Sequence, residues 1–263
     1  MAERMKVLIT VKTYPLPSLK YDEVVCTAGV LEDGRFVRLY PINYRYRPYW
    51  QWYKKYQWIE VDTERHANDP RPESYRPIGV ITRVGQRIGT EQGWAERKRF
   101  VLVRGLSTMC DLQRRPQTEV SLSIIRPKAV RDLLAEPTDR AWKPQWTARL
   151  QQLRLFEAPA KPLEKIPYKF SYVFTCEDPD CSGHTKMIED WELGELYRQM
   201  RHEYDELTAC LKVREKFLDQ ICSASVGTHF YVGTVLSYST WIILGTFWPP
   251  RGSESGQPTL PLF

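Results

Sequence analysis

Residues 174–191 read FTCEDPDCSGHTKMIEDW and bring Cys176, Cys181 and His184 into a Cys-x4-Cys-x2-His spacing. Pro179 and Gly183 break the backbone between these residues, which predicts a turn that gathers soft ligands at one point. Zinc takes thiolate and imidazole in a tetrahedral set, and close pairs of ligands are its usual mark in a sequence. The expectation is therefore a Zn2+ site on Cys176, Cys181 and His184, structural rather than catalytic. A closed site needs a fourth ligand, and Cys210, Cys222, His202 and His229 are the candidates. The plain alternative is a loop whose thiols and imidazole meet no metal.

Around this turn the chain alternates between strand and helix signals. Residues 6–12 (KVLITVK) form a β-branched apolar run that predicts a buried strand. Two apolar runs, 23–31 and 35–40, flank Asp33-Gly34, a strong hairpin signal; the second would present Arg35 and Arg38 on a solvated face. Further strands are expected at 58–62, 78–84 and 168–175, and one following the basic residues of 95–103. Pro127 predicts the first turn of a helix carrying Val130, Leu133 and Leu134. Residues 142–156 predict an amphipathic helix, and helix is expected from 188 to about 222, weakened by Gly194. The apolar runs 229–235 and 240–247 predict a buried strand pair that joins the N-terminal sheet.

The fold class that follows is α+β, a mixed or barrel-like sheet built from both chain ends with a helical segment and the Cys/His turn inserted. The expected organisation is 1–157, then 168–248, as one intertwined unit with a proline-rich connector, and a flexible tail over 249–263.

With 42% hydrophobic and 27% charged residues the composition is that of a soluble globular protein, without an apolar stretch of membrane length. The opening MAERMKVLITVKTY is too short in its apolar core for a signal peptide, so the expected compartment is the cytoplasm. The six cysteines then read as reduced thiols rather than a disulfide frame.

The net charge is +6, and its placement matters more than its size. Residues 44–58, YRYRPYWQWYKKYQW, hold eight aromatic and four basic residues and no acid. Such a mixture suits single-stranded or structured DNA or RNA, because bases stack on rings while cations follow phosphates. The candidate contacts are Tyr44, Arg45, Tyr46, Arg47, Trp50, Trp52, Lys54 and Lys55, with Arg71 from a nearby proline-rich loop. The competing possibility is that some of these rings pack in the core.

Asp190 and Glu192 directly follow the cysteine turn. Carboxylates beside a metal suit a metal-dependent nuclease, although acids at a helix start are favoured electrostatically without any catalysis. No Gly-rich phosphate loop, HExxH or nucleophile elbow accompanies them, so a binding protein is the first expectation and a nuclease the second.

Two resemblances add to this. The elements RLYP (38–41), DPRPESYRP (69–77), the Cys-x4-Cys-x2-His turn with its DWE, and GTFWPP (245–250) resemble a group of uncharacterised bacterial proteins to which no activity attaches. The ending TLPLF resembles the peptides by which bacterial polymerases and repair proteins bind the sliding clamp. That likeness implies Leu260, Leu262 and Phe263 as pocket anchors and recruitment to replication or repair, with Thr259 and Pro261 departing from the motif. A pure protein-interaction adaptor is the third expectation.

Overall fold

The computed structural model of the chain describes residues 2–156, 163–236 and 240–252, the side chains of Asp22 and 151–156 excepted. It is mixed α+β with twelve strands and five α-helices among the described residues.

Its first half closes into a barrel. β1 (Glu3–Lys12), β3 (Asp22–Val30), β4 (Phe36–Ile42), β5 (Trp58–Arg65) and β6 (Ser74–Val84) follow the order β1-β5-β6-β4-β3. β1 then pairs with β3 as well, and the short β2 (Leu16–Ser18) lies outside β3. Only the β4–β6 contact is parallel. The Asp33-Gly34 hairpin forms in register, Val30 facing Phe36. Where β1 and β3 meet, a Cβ on Gly29 would run into the backbone of Leu8, so the closure needs a residue without one. Val7, Ile9, Val25, Leu39, Ile59, Val61 and Ile81 fill the barrel.

β1 is apolar on both faces because both are covered. Leu8 and Val11 point away from the barrel interior into a second cluster with Leu122, Ile124, Tyr231, Ile242, Leu244 and Phe247. These come from β7 (Leu122–Ile125), β11 (His229–Val235) and β12 (Thr240–Phe247), a separate sheet of order β12-β11-β7. The terminal strand pair therefore packs against the barrel rather than entering its sheet. The two halves share this core.

A third sheet, β10-β9-β8, joins β8 (Ala129–Pro137), β9 (Tyr168–Thr175) and β10 (His184–Met187). Here the sequence pattern misleads. Residues 129–137 form a strand, because eight positions pair with β9 and the cross-strand ladder outweighs the local helical spacing. Conversely, the basic stretch expected to lead into a strand forms α1 (Glu91–Val101). The remaining helices are α2 (Met109–Arg114), α3 (Pro144–Phe156), α4 (Trp191–Glu203) and α5 (Glu206–Arg214), the last running into a π-turn at Glu215–Gln220. Gly194 sits within α4 because Tyr14 and Ile166 press against it, leaving no room for a Cβ.

No helix among the described residues is long and apolar enough to cross a membrane.

Candidate functional site

Cys176 ends just beyond β9 and His184 opens β10, so the turn between two antiparallel strands folds its ligands back on one another. The structure brings Cys176, Cys181 and His184 together and adds Cys110 from α2. All four ligand atoms lie within 4.8 Å of one another. The His184 Nε2 is 3.4 Å from the Sγ of Cys110, 3.5 Å from that of Cys176 and 3.4 Å from that of Cys181. The Cys110 and Cys176 sulfurs are 3.6 Å apart. Metal–sulfur bonds of about 2.3 Å and metal–nitrogen bonds of about 2.0 Å in a tetrahedron place their ligands roughly 3.5–3.8 Å apart. These four distances lie within about 0.1 Å of that range, so the Cys3His set can hold a tetrahedral metal ion.

The fourth ligand is none of the four sequence candidates. Cys210 is buried on α5 among apolar side chains, and Cys222 donates to the Phe217 carbonyl. His202 is exposed at the end of α4, and His229 is buried on β11 with its ring near Phe247. Cys110 was concealed by distance, 66 positions before Cys176. Its local signal is a helix N-cap: Thr108 accepts from the Asp111 N–H and starts α2. Burial raises the Cys176 thiol, but N–H groups of Cys110 and Asp178 and the His184 ring outweigh it and hold it at about 6. Burial and the neighbouring sulfurs push Cys110 up to about 12. N–H groups directed at sulfur are the outer-shell bonds that stabilise a metal-bound thiolate.

Asp190 and Glu192 serve a different structure. Asp190 is N-cap of α4, accepting from the Glu192 N–H at 2.7 Å. The Lys55 Nζ lies 3.0 and 2.8 Å from the two Asp190 oxygens and 3.0 Å from Glu192. Asp190 and Lys55 are both buried. Burial opposes the Lys55 ammonium, but the two carboxylates win and hold its pKa above the ordinary lysine range. Asp190 is thus committed inside the fold as a cap and a counter-ion. The same pair corrects the assignment of Lys55 to a nucleic-acid surface, since its charge is already neutralised indoors.

The aromatic segment divides. Tyr44 and Tyr53 sink into the barrel end, and Tyr44 donates to the Tyr53 carbonyl. The half-buried Trp52 donates to the Arg47 carbonyl, and Tyr46 is half-buried. Arg45 pairs with the buried Glu23 at 3.1 Å. Arg71 is buried, held by Asp69 at 2.6 Å and donating to the Thr234 carbonyl. Arg38, expected on a solvated face, is 2% exposed and donates to Ser74 and Ser121, tying the barrel to β7. Tyr44, Lys55 and Arg71 therefore leave the surface, because large rings and cations near a barrel rim find partners inside.

What stays outside is compact. Tyr49 is 77% and Trp50 54% exposed, with Lys54 exposed beyond them. The turn carrying them lies along β6. Gln51 accepts from the Ile81 N–H, and Arg47 donates to the Gly79 carbonyl and to Gln51. These side chains occupy backbone groups of a strand whose pairing with β4 covers only Arg38–Leu39 opposite Ser74–Tyr75, which blunts an otherwise open edge.

Fold and site together define an α+β protein in which a closed barrel shares its core with a second unit built around a Cys3His cluster of metal-binding geometry. Residues 105–262 match the family described as Domain of unknown function (DUF8757), and residues 3–103 match Domain of unknown function (DUF8758). The chain belongs to the DUF8757 family. No curated protein matches it. Among solved structures, one described as "Structure of murine DNA binding protein bound with ds DNA" covers 94% of both chains at 8% identity with a TM-score of 0.32. A likeness that loose transfers neither fold nor function.

Proposed function

We propose that the chain is a zinc-stabilised protein that binds single-stranded nucleic acid through the exposed part of residues 45–54, in the cytoplasm. The observation that carries the reading is the pair of solvent-facing rings, Tyr49 and Trp50, set beside Arg47 and Lys54 on a chain of net charge +6. Bases stack on such rings and cations take the phosphates, each stacked base contributing about 1–3 kcal/mol. Zinc is the ion of choice for three thiolates and an imidazole at these separations. Its role is structural, because the fourth position is filled by Cys110 rather than left to water.

Anisotropy titration of a labelled single strand tests the reading. Trp50→Ala should weaken binding roughly 5- to 150-fold, the loss expected for one stacked base. Affinity should also fall steeply with salt. Binding that ignores salt, or none at micromolar protein, would sink it. Metal analysis of the purified chain should find one zinc per chain; its absence overturns the zinc reading alone. The clamp-like peptide lies outside the described residues. Recruitment to replication or repair through Leu260, Leu262 and Phe263 remains part of the proposal, and deletion of 257–263 should abolish capture by a sliding clamp while strand binding persists.

A further inference from the structure

A cavity of about 500 Å³ opens between the end of α2, β10 and the β11–β12 pair. Gln113, Arg115, Lys186, Thr234, Thr240 and Trp241 line it. Its size is that of a pocket for a mononucleotide-sized molecule. Its walls are polar in an ordered way. Lys186 pairs through its backbone with β9, but its half-buried side chain has no ion pair or hydrogen bond among the described residues. Arg115 reaches only a loose, exposed contact with Glu119 at 3.6 Å, weak enough to be exchanged for a stronger anion. Thr234 is 6% exposed, and its Oγ1 has no hydrogen-bond partner among the described residues. A buried hydroxyl without a partner is costly unless something supplies one. Trp241, 5% exposed and otherwise packed in the core, contributes an apolar edge to the cavity.

Two cations, an unpartnered hydroxyl and an apolar edge have one common complement. We propose that this cavity binds a phosphate monoester of nucleotide size, with Lys186 and Arg115 on the phosphate, Thr234 Oγ1 donating to it and the base against Trp241. The elements are held at a fixed separation. Cys110 lies on α2, five positions before Arg115, and His184 lies on β10, two before Lys186, so the Cys3His cluster ties together the segments that carry the two cations. Arg71, its charge matched by Asp69, donates to the Thr234 carbonyl and fixes the far wall.

The phosphate can belong to a free nucleotide or to the end of a strand. Calorimetric titration of the full metal-loaded chain with AMP, adenosine, inorganic phosphate, and a short strand with and without a 5′-phosphate distinguishes the two. Binding of AMP but not adenosine assigns a free nucleotide. A 5′-phosphorylated strand binding at least tenfold tighter than its unphosphorylated twin, without AMP binding, assigns a strand end. Lys186→Met should weaken either at least tenfold. Thr234→Val should weaken it several-fold while leaving the melting temperature unchanged or higher, because it removes an unpartnered buried hydroxyl; a merely structural threonine would instead lower it. The proposal falls if neither AMP nor the 5′-phosphate is preferred, or if both variants bind as the parent does. Trp50→Ala should leave AMP binding intact, so failure at this cavity and failure of the strand-binding surface are read separately.

Discussion

Two junctions hold this chain together by opposite means. The Cys3His corner joins α2 to the β9–β10 turn with soft ligands that repel one another as thiolates until a cation sits among them. The lysine hub joins residue 55 of the barrel half to Asp190 and Glu192 at the start of α4, and it carries its own counter-charges. One junction depends on an external ion, the other on charges that are costly to bury and costlier to separate. Perturbing each should therefore fail in a different way.

The larger effect belongs to the metal corner. Structural zinc contributes an apparent ~10–16 kcal/mol in small zinc peptides at neutral pH. Here α2 also packs through Met109 and Leu112 into the core cluster, so only part of that is lost with the ion. Cys110→Ser, or a strong chelator, should release the metal and lower Tm by more than about 10 °C, at about 2–4 °C per kcal/mol for a chain of this size. Cys210→Ser should retain full metal content despite losing core packing. Metal content and Tm measured on the two variants separate the outcomes. Metal retained by Cys110→Ser would break the assignment of the fourth ligand.

Next comes the hub. Lys55→Met leaves Asp190 buried and unpaired, and should cost about 3–5 kcal/mol. Adding Asp190→Asn removes the stranded charge but keeps a side chain that caps α4, so the double variant should recover most of the loss. Denaturant unfolding of both variants is the measurement. If the double variant is no more stable than Lys55→Met, the damage comes from lost packing around residue 55 rather than from charge.

The contrast also explains what could be read in the sequence. Cys176, Cys181 and His184 were legible because the one connection from β9 to β10 places them together, and local spacing survives folding. Cys110 was not, because α2 is brought to the turn by long-range packing that no spacing encodes. Residues 44–58 were legible as unusual, but not as divided. Composition gives rings and cations; which of them face inward depends on barrel closure, and a carboxylate 135 positions away claimed Lys55. The buried strands of the barrel read well from β-branched runs. β8 and α1 did not, because pairing with β9 in one case and packing of Trp94 and Val101 in the other overrode local pattern.

The last effect, spread over several pH units, lies in the pH dependence of the hub's surroundings. Burial, then the charge of Lys55, lowers the Lys12 ammonium to about 7, with Glu192, Glu195 and Asp190 opposing. Its Nζ lies 3.9 Å from the centre of the Tyr44 ring and 4.3 Å from that of Trp191. Burial raises Glu189 to about 7. In the unfolded chain these groups titrate near their ordinary values, 10.5 and 4.5. Between pH 4.5 and 7 the folded chain holds the Glu189 proton that the unfolded chain gives up, so stability falls as pH rises through that window. Between 7 and 10.5 the unfolded chain holds the Lys12 proton that the folded chain has released, so stability rises again. The two slopes meet in a minimum near neutrality, set on the upward slope of the metal corner. Tm of the metal-loaded parent followed against pH, less that of each variant, should show that dip. Glu189→Gln should flatten its acid side and Lys12→Met its alkaline side, each raising Tm at pH 7. The metal corner adds a slope of its own: its ligands are deprotonated in the loaded fold, whereas the same thiols carry protons in the unfolded chain below about pH 8.5, so its contribution rises with pH through neutrality. A dip that survives both substitutions but vanishes with chelator would move the pH sensitivity from the hub to the Cys3His corner.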